Sequence, residues 1–131
     1  MESLRVDITV PLRSFELELA LDVGAGTLAL VGPSGAGKST ILRAIAGLVR
    51  PARGSIMLGG TTWFAASRGL DLPPDRRSVG VVFQEYALFP HMTVRRNVLY
   101  GGARDADGLL RRFRIDHLAE ARPHTLSGGE R

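Results

Sequence analysis

The chain has 131 residues, 44% of them hydrophobic and 23% charged, which predicts one globular domain and excludes a disordered or collagen-like chain. The absence of cysteine excludes disulfides and thiolate metal sites, and no apolar run approaches the ~20 residues of a membrane span, so the expected compartment is the cytoplasm. The net charge is +4, but the arginines are scattered and the single lysine is Lys38, so we expect no nucleic-acid partner.

The first part of the chain is predicted to be β structure. Residues 4–22 alternate between apolar and polar, which is the period of half-buried strands, with a turn between Pro11 and Ser14. After a glycine-containing break at residues 24–26, the continuous apolar run 27–31 indicates a strand covered on both faces. We therefore expect a strand pair followed by a buried strand.

The middle of the chain is predicted to alternate between helix and strand. A helix is expected over residues 39–49. Its predicted apolar face consists of Ile41, Leu42, Ile45 and Leu48. A hairpin is expected over residues 54–63 with Gly59-Gly60 at its turn, followed by a loop over residues 70–78.

The remainder begins with a strand and continues as helix. Residues 79–83 form another apolar run, which predicts a second buried strand. Thr93 is a suitable cap for a short helix over residues 94–100, and another helix is expected over residues 107–113. No internal repeat is present in this pattern.

The most informative motif is a glycine-rich loop that matches the pattern G-x-x-x-x-G-K-[ST], with a predicted strand before it and a helix after it. Gly35 and Gly37 allow backbone conformations in which successive amides point into one concavity at the helix N-terminus, where an anion is favoured. Lys38 can reach the β- and γ-phosphates, Ser39 offers a hydroxyl to Mg²⁺, and Thr40 adds a further phosphate contact. The loop therefore predicts binding of ATP with Mg²⁺. The predicted binding residues are Gly32, Pro33, Ser34, Gly35, Ala36, Gly37, Lys38, Ser39 and Thr40.

Two further motifs follow the loop, and each is ambiguous when taken alone. Gln84 comes directly after the predicted strand 79–83, where its amide oxygen can bind Mg²⁺ or orient water, although an isolated glutamine is usually an ordinary surface residue. Residues 126–130 read Leu-Ser-Gly-Gly-Glu, which offers a capping serine and exposed amides for a second anion site, or simply a flexible turn.

Taken in this order, the three motifs resemble the nucleotide-binding domain of ABC transporters. Residues 72–77 and 87–94 are similar to the importer branch, and the whole chain is most similar to the molybdate type. The resemblance implies an α/β fold of the P-loop NTPase class, with a mixed β N-terminal part, a parallel sheet core and a helical subdomain, incomplete in this chain. It also implies a partial domain over residues 1–131, divided into a core over 1–88 and a helical subdomain over 89–131 that ends in the signature motif.

The resemblance further implies roles for individual residues. Lys38, Gln84 and Ser127 would be the catalytic residues present, and Ser39 with Gln84 would hold Mg²⁺. Two such domains would stack head to tail, so that one chain's signature motif caps the nucleotide held by the other chain. The signature residues concerned are Ser127, Gly128, Gly129 and Glu130. Phe15 would stack on adenine, although its place on an alternating strand is equally consistent with a core residue.

The family pattern also implies where such a chain works. The segment 86–94 would contact the transmembrane permease subunits, or serve only for internal packing. The expected location is then the cytoplasmic face of the plasma membrane, and the expected process is ATP-driven import of molybdate or a related anion. Sulfate, iron, polyamine and sugar importers share most of these sequence features, so the solute is the least specific of these expectations.

One part of the family pattern is missing. No apolar run in the 131 residues ends in the Asp-Glu pair that supports Mg²⁺ and activates water, and His91, His117 and His124 all precede the signature motif. We therefore expect an N-terminal fragment that binds ATP without efficient hydrolysis. The alternative is a non-catalytic nucleotide-binding module. A small nucleotide or shikimate-type kinase would have no reason to carry Gln84 or the signature motif, and a chromosome-maintenance ATPase usually carries a long insertion before it.

Overall fold

The computed structural model describes residues 3–130, so Met1, Glu2 and Arg131 of the expected domain range 1–131 lie outside the described residues. Within the described range the chain forms two compact units. The first ends at Val81 and the second begins at Val82. The division expected between residues 88 and 89 stays a prediction.

The first unit is built on a five-stranded sheet in which every pair of neighbours is antiparallel. The strand order is β2-β1-β3-β4-β5. The strands are β1 (Leu4–Pro11), β2 (Glu16–Val23), β3 (Arg53–Leu58), β4 (Thr61–Ala65) and β5 (Leu70–Asp71). The predicted strand pair and the hairpin turn at Gly59-Gly60 are both confirmed. Two short 3₁₀ turns, Ala66–Arg68 and Pro74–Arg76, complete the connections around β5.

The core of the first unit lies on one face of this sheet. Val6, Ile8 and Val10 alternate along β1 and are each 2% exposed, as the period of two requires. The strand register pairs Val6 with Ile56 of β3, so the inward residues of neighbouring strands meet. The buried cluster comprises Val6, Ile8, Val10, Ala44, Ile56, Trp63 and Phe64.

The helix of the first unit, α1 (Lys38–Ile45), is shorter than the predicted 39–49. It ends in a Schellman motif, in which the Leu48 amide donates to the Arg43 carbonyl at 2.8 Å and the Gly47 amide donates to the Ala44 carbonyl at 3.1 Å. Gly47 has φ +81°, a conformation that glycine adopts without steric cost. The helix therefore ends at Ile45, just before Gly47, rather than at residue 49.

The predicted apolar face of α1 is only partly correct. Ala44 belongs to the buried cluster on the sheet and the predicted Ile45 packs against it. Ile41 is also buried, three residues before Ala44 on the same side of the helix, but Leu42 and Leu48 are exposed. Leu48 lies beyond the end of α1, so helical spacing does not apply to it.

The two predicted buried strands, 27–31 and 79–83, are not strands in residues 3–130, and the sheet contains no parallel pair there. Val31 is 94% exposed and Val82 is 92% exposed. A strand exists only when a neighbour completes its ladder of hydrogen bonds, and no described segment pairs with either run. The predicted parallel sheet core is thus not formed by the residues that the structure describes.

The second unit is helical, as predicted. It contains α2 (Val94–Tyr100) and α3 (Ala106–Arg112), followed by 3₁₀ turns at Asp116–Leu118 and Pro123–Thr125. No helix in residues 3–130 is both long and apolar enough to cross a membrane.

Side-chain caps begin both α-helices of the second unit. Thr93 Oγ1 accepts a hydrogen bond from the Arg96 amide at 3.3 Å, which confirms the predicted cap of α2. Asp105 caps α3 in the same way, because its Oδ1 accepts from the Gly108 amide at 2.7 Å. Arg95 of α2 also pairs with Asp107 and Glu120.

Candidate nucleotide-binding site

The glycine loop adopts backbone conformations that its sequence makes possible. Gly35 has φ +82° and Gly37 has φ +91°, both in the left-handed region that residues with a side chain rarely enter. A β-carbon at Gly37 would lie 3.1 Å from Leu17 Cδ2 and 3.2 Å from Leu12 Cδ1. Glycine is therefore required at position 37 both by the backbone and by the packing around it.

The start of α1 presents backbone amides that no side chain caps. Gly37 is the N-cap residue, and it has no side chain to accept from the first-turn amides. These amides have no acceptor within the helix, and together with the helix dipole they favour an anion. Ser39 is exposed on this first turn, so its hydroxyl is accessible to a ligand at the same end.

Lys38 is held above the loop by the loop's own carbonyls. Its Nζ donates to the carbonyl oxygens of Gly32 and Pro33, each at 2.7 Å. An ammonium group has three protons, and these are its two hydrogen bonds within residues 3–130. The third proton and the full positive charge are thus available to an anion bound at the start of α1.

Phe15 lies beside this loop, in the turn between β1 and β2. The Leu12 amide donates to the Phe15 carbonyl at 2.8 Å and closes the turn. Leu12 and Leu17, on either side of Phe15, are the two side chains that approach Gly37. Phe15 itself is 44% exposed and is not a core residue. Phe15 thus lies in a turn whose flanking side chains reach Gly37, and its own ring is accessible for stacking on a base.

Gln84 belongs to the second unit, in an exposed segment. Residues 82–87 are all exposed, and Tyr86 and Ala87 have φ of +61° and +50°. The prediction that Gln84 ends a buried strand is wrong for residues 3–130, because 79–83 is not a strand there. The amide of Gln84 is nevertheless accessible to solvent and ligands.

The segment Ser127 to Glu130 has the geometry of a helix start. Glu130 Oε2 accepts a hydrogen bond from the Ser127 amide at 2.7 Å, and the Glu130 amide donates to the Ser127 carbonyl at 3.1 Å. This is half of a capping box, in which the carboxylate of the acid three residues after the cap residue accepts a hydrogen bond from the backbone amide of the cap residue. The hydrogen bonds from Ser127 hold the pKa of Glu130 below its ordinary value. Gly128 and Gly129 are exposed between these two residues.

Comparison with known proteins places this geometry in a family. A family model described as "ABC transporter" matches residues 17–131. The chain is 42% identical to a "Molybdenum import ATP-binding protein ModC" from Brucella abortus, over 100% of this chain and 38% of that protein. It is 43% identical to the protein of the same name from Pseudomonas aeruginosa, over 99% of this chain and 38% of that protein. The chain belongs to the ABC transporter family.

A solved structure supports the same assignment. The chain is similar to a chain in the solved structure described as "Structure of a bacterial Atm1-family ABC exporter with ATP bound". The TM-score is 0.76 and the sequence identity is 31%, and the match covers 98% of this chain and 25% of the exporter chain. The predicted fold class, an incomplete P-loop NTPase domain of ABC type, is therefore confirmed, although its parallel strands are not formed in residues 3–130. The chain spans 38% of the length of the curated relatives it matches.

Asn97 has a structural role that the sequence alone did not reveal. Its Oδ1 accepts from the Phe89 amide at 2.8 Å. Its Nδ2 donates to the carbonyls of Phe89, Met92 and Thr93 at 3.2, 3.3 and 3.0 Å. One side chain thus holds the loop before α2 onto the helix. A polar residue inside a short amphipathic helix was the available signal, but it does not identify its partners.

Arg77 is the second residue whose role was not predicted from the sequence. It lies in the predicted loop 70–78, yet it is 3% exposed. An arginine in a loop rich in proline and charge is expected to be solvated, and only its tertiary contacts reveal its burial.

Proposed function

We propose that this chain is the ATP-binding part of a subunit that couples ATP binding and hydrolysis to solute import through a membrane transporter. The observation that carries the proposal is the uncapped start of α1 with Lys38 above it, in a chain that belongs to the ABC transporter family. The same geometry would hold a triphosphate in many proteins, so the family supplies the link to transport.

ATP and Mg²⁺ are the ligands that this donor set fits. The amides of the loop and of the first turn of α1 would bind the phosphates, and Lys38 would neutralise their charge. The hydroxyl of Ser39 and the amide oxygen of Gln84 are oxygen ligands of the type that Mg²⁺ prefers. Bound Mg²⁺ supplies neutralisation of the charge that develops during phosphoryl transfer. Phe15 would stack on the adenine ring.

The remaining half of the ATP site would come from a second copy of the subunit. In a head-to-tail pair, the exposed amides of Gly128 and Gly129, with the Ser127 hydroxyl, would contact the nucleotide held by the partner. The exposure of Gly128 and Gly129 supports this role, because their backbone amides are accessible to an anion. Transmembrane permease subunits would complete the assembly at the cytoplasmic face of the plasma membrane.

Binding of ATP is tested by isothermal titration calorimetry with MgATP. We expect Lys38→Ala to abolish measurable binding, since it removes the ammonium group above the loop. Arg43→Ala is the matched control, because it removes one positive charge from the exposed side of the same helix. Equal affinities for Lys38→Ala and the unchanged chain would refute the proposed site.

The 131 residues contain no apolar run followed by an Asp-Glu pair, so a water molecule bound beside the nucleotide would lack the carboxylate that acts as its base. We expect ATP binding without steady release of inorganic phosphate from this chain, and Lys38-dependent phosphate release from any longer natural product that contains it. A longer product that binds ATP but releases no phosphate would favour the alternative of a non-catalytic nucleotide-binding module.

The proposed solute is molybdate or a related anion, and this proposal rests on the similarity of the chain to the two molybdenum import proteins. The test is uptake of molybdate in cells whose natural gene product carries Lys38→Ala. Loss of molybdate uptake with unchanged sulfate uptake would support a molybdate importer. Unchanged uptake of both anions in those cells would refute this solute class.

A further inference from the structure

Among residues 3–130, Arg77 is the charged side chain that the first unit buries, with 0% of its side chain exposed. Burial of a guanidinium is costly unless its donors are satisfied. Burial lowers the pKa of Arg77, while the charge of Asp71 and the hydrogen bond to it act in the opposite direction. Arginine remains charged at any physiological pH, so this is a permanent buried cation.

Two hydrogen bonds of Arg77 go to the C-terminal end of α1, the helix whose N-terminal end follows the phosphate loop. Nη1 donates to the carbonyls of Ala44 and Ile45 at 2.9 and 2.7 Å. These are two of the last carbonyls of α1, which lack the donor four residues on that a carbonyl in the helix interior has, and the Ala44 carbonyl also accepts from the Gly47 amide. The positive charge also complements the negative end of the helix dipole. Arg77 therefore binds the C-terminal end of α1 both by hydrogen bonds and by charge.

The other side of the guanidinium is fixed in place by three further contacts. Nε donates to the Leu72 carbonyl at 2.8 Å, and Nη2 donates to Asp71 Oδ1 at 2.9 Å. The guanidinium carbon lies 6.0 Å from the centre of the Trp63 ring, within range of a cation–π contact. A lysine would keep the charge but would lose this planar arrangement of donors.

The space around the group is also closed. A β-carbon at Gly47 would lie 2.8 Å from Arg77 Nε and 2.9 Å from its Cζ. The helix therefore ends at a residue whose missing side chain makes room for the guanidinium. The same residue completes the Schellman motif of α1, so the end of the helix and the position of Arg77 depend on each other.

The helix is short and links two functional ends. It has eight residues, so Lys38 at its start and the carbonyls held by Arg77 are about 10 Å apart at 1.5 Å per residue. A helix of this length is marginal without tertiary contacts. Its N-terminal amides keep their direction only if the rest of the helix is held.

We propose that Arg77 is a positioning residue for the phosphate loop: by fixing the C-terminal end of α1 to the sheet through Asp71 and Trp63, it keeps the first-turn amides and Lys38 in their binding arrangement. The expected effect of Arg77 on nucleotide affinity rests on the proposed function. The expected effect of Arg77 on the order of α1 does not depend on any nucleotide.

The first test measures amide hydrogen exchange of the chain without nucleotide. Arg77→Lys should raise exchange about tenfold in α1 and in residues 35–38, with unchanged exchange in β1 and β3. Arg76→Lys is the matched control, because Arg76 is exposed and is its immediate neighbour. Asp71→Asn is a milder second variant that should raise exchange in the same segments. Uniform acceleration in all elements, or none, would overturn the inference.

The second test measures MgATP affinity of the same variants by calorimetry. Arg77→Lys should weaken binding about tenfold, Asp71→Asn by less, and Arg76→Lys not at all. If Lys38→Ala abolishes binding while Arg77→Lys changes neither affinity nor exchange, the inference fails and the proposed function stands. If the unchanged chain does not bind MgATP but Arg77→Lys selectively loosens α1, the proposed function fails and the role of Arg77 in ordering the helix stands.

Discussion

Replacing single glycines of the phosphate loop with alanine tests whether the observed loop is the binding conformation. Gly35 and Gly37 both have a left-handed backbone, and an alanine there costs about 1–2 kcal/mol. At Gly37 the new β-carbon would also lie 3.1 Å from Leu17 Cδ2, tighter than ordinary contact. At Gly35 no atom lies within 4 Å of the new carbon, so only the backbone cost applies.

The free loop can relax away from the strained conformation, but a bound nucleotide must restore it. The cost therefore appears in the affinity, and since about 1.4 kcal/mol is tenfold, Gly35→Ala should weaken MgATP binding about 5- to 30-fold. Gly37→Ala should weaken it at least as much, because of its contact with Leu17 in addition.

The assay is calorimetric titration of each variant with MgATP, beside Gly60→Ala as the control. Gly60 has no left-handed backbone, and no atom lies within 4 Å of the place that a β-carbon would take there, so its replacement should leave affinity unchanged. Affinity of Gly37→Ala within twofold of the unchanged chain would refute the reasoning, since the loop would then bind in another conformation.

Two further residues give independent predictions. Phe15→Ala should weaken binding of ATP by a factor on the order of 5 to 150, since base–aromatic stacking contributes about 1–3 kcal/mol, and should leave tripolyphosphate binding unchanged. Phe15→Trp should keep both affinities, and equal loss for the two ligands would exclude stacking. The hydrogen bonds from Ser127 lower the folded pKa of Glu130. The bond between the Glu130 carboxylate and the Ser127 amide should therefore be fully present at a pH above the ordinary carboxyl pKa of ~4.3, and it should be lost as the pH falls through the lower folded pKa. The Ser127 amide shift in NMR should follow that titration and stay flat in Glu130→Gln, and a midpoint above the ordinary value would contradict it.

Local patterns predicted the parts of the fold that depend on local chemistry. Alternation along residues 4–22 reports which side of a strand meets the core, and the strands β1 and β2 formed as expected. Thr93 has a side-chain oxygen at the position where a helix begins, so its cap was predictable. The glycine loop was predictable because few other chemistries require glycine, lysine and serine at those spacings.

Features that depend on distant partners were not predictable from local patterns. The apolar runs 27–31 and 79–83 indicate burial, but a strand also needs a neighbour, and neither run specifies one. The burial of Arg77 depends on carbonyls of Ala44 and Ile45, more than 30 positions earlier in the chain. The early end of α1 is different, since a glycine at position 47 is a recognised signal for the end of a helix. The prediction extended the helix to residue 49 because the spacing of the apolar residues continued past this glycine.

The position of Lys38 has a consequence for chemical labelling. It is the single lysine of the chain, so a reagent that acylates primary amines has one side-chain target, besides the terminal amine. That target is the nitrogen that donates to Gly32 and Pro33 above the loop. A bound nucleotide should protect this nitrogen from modification. The fraction of the Lys38 peptide that gains the mass of one acyl group therefore reports how much of the phosphate site is free.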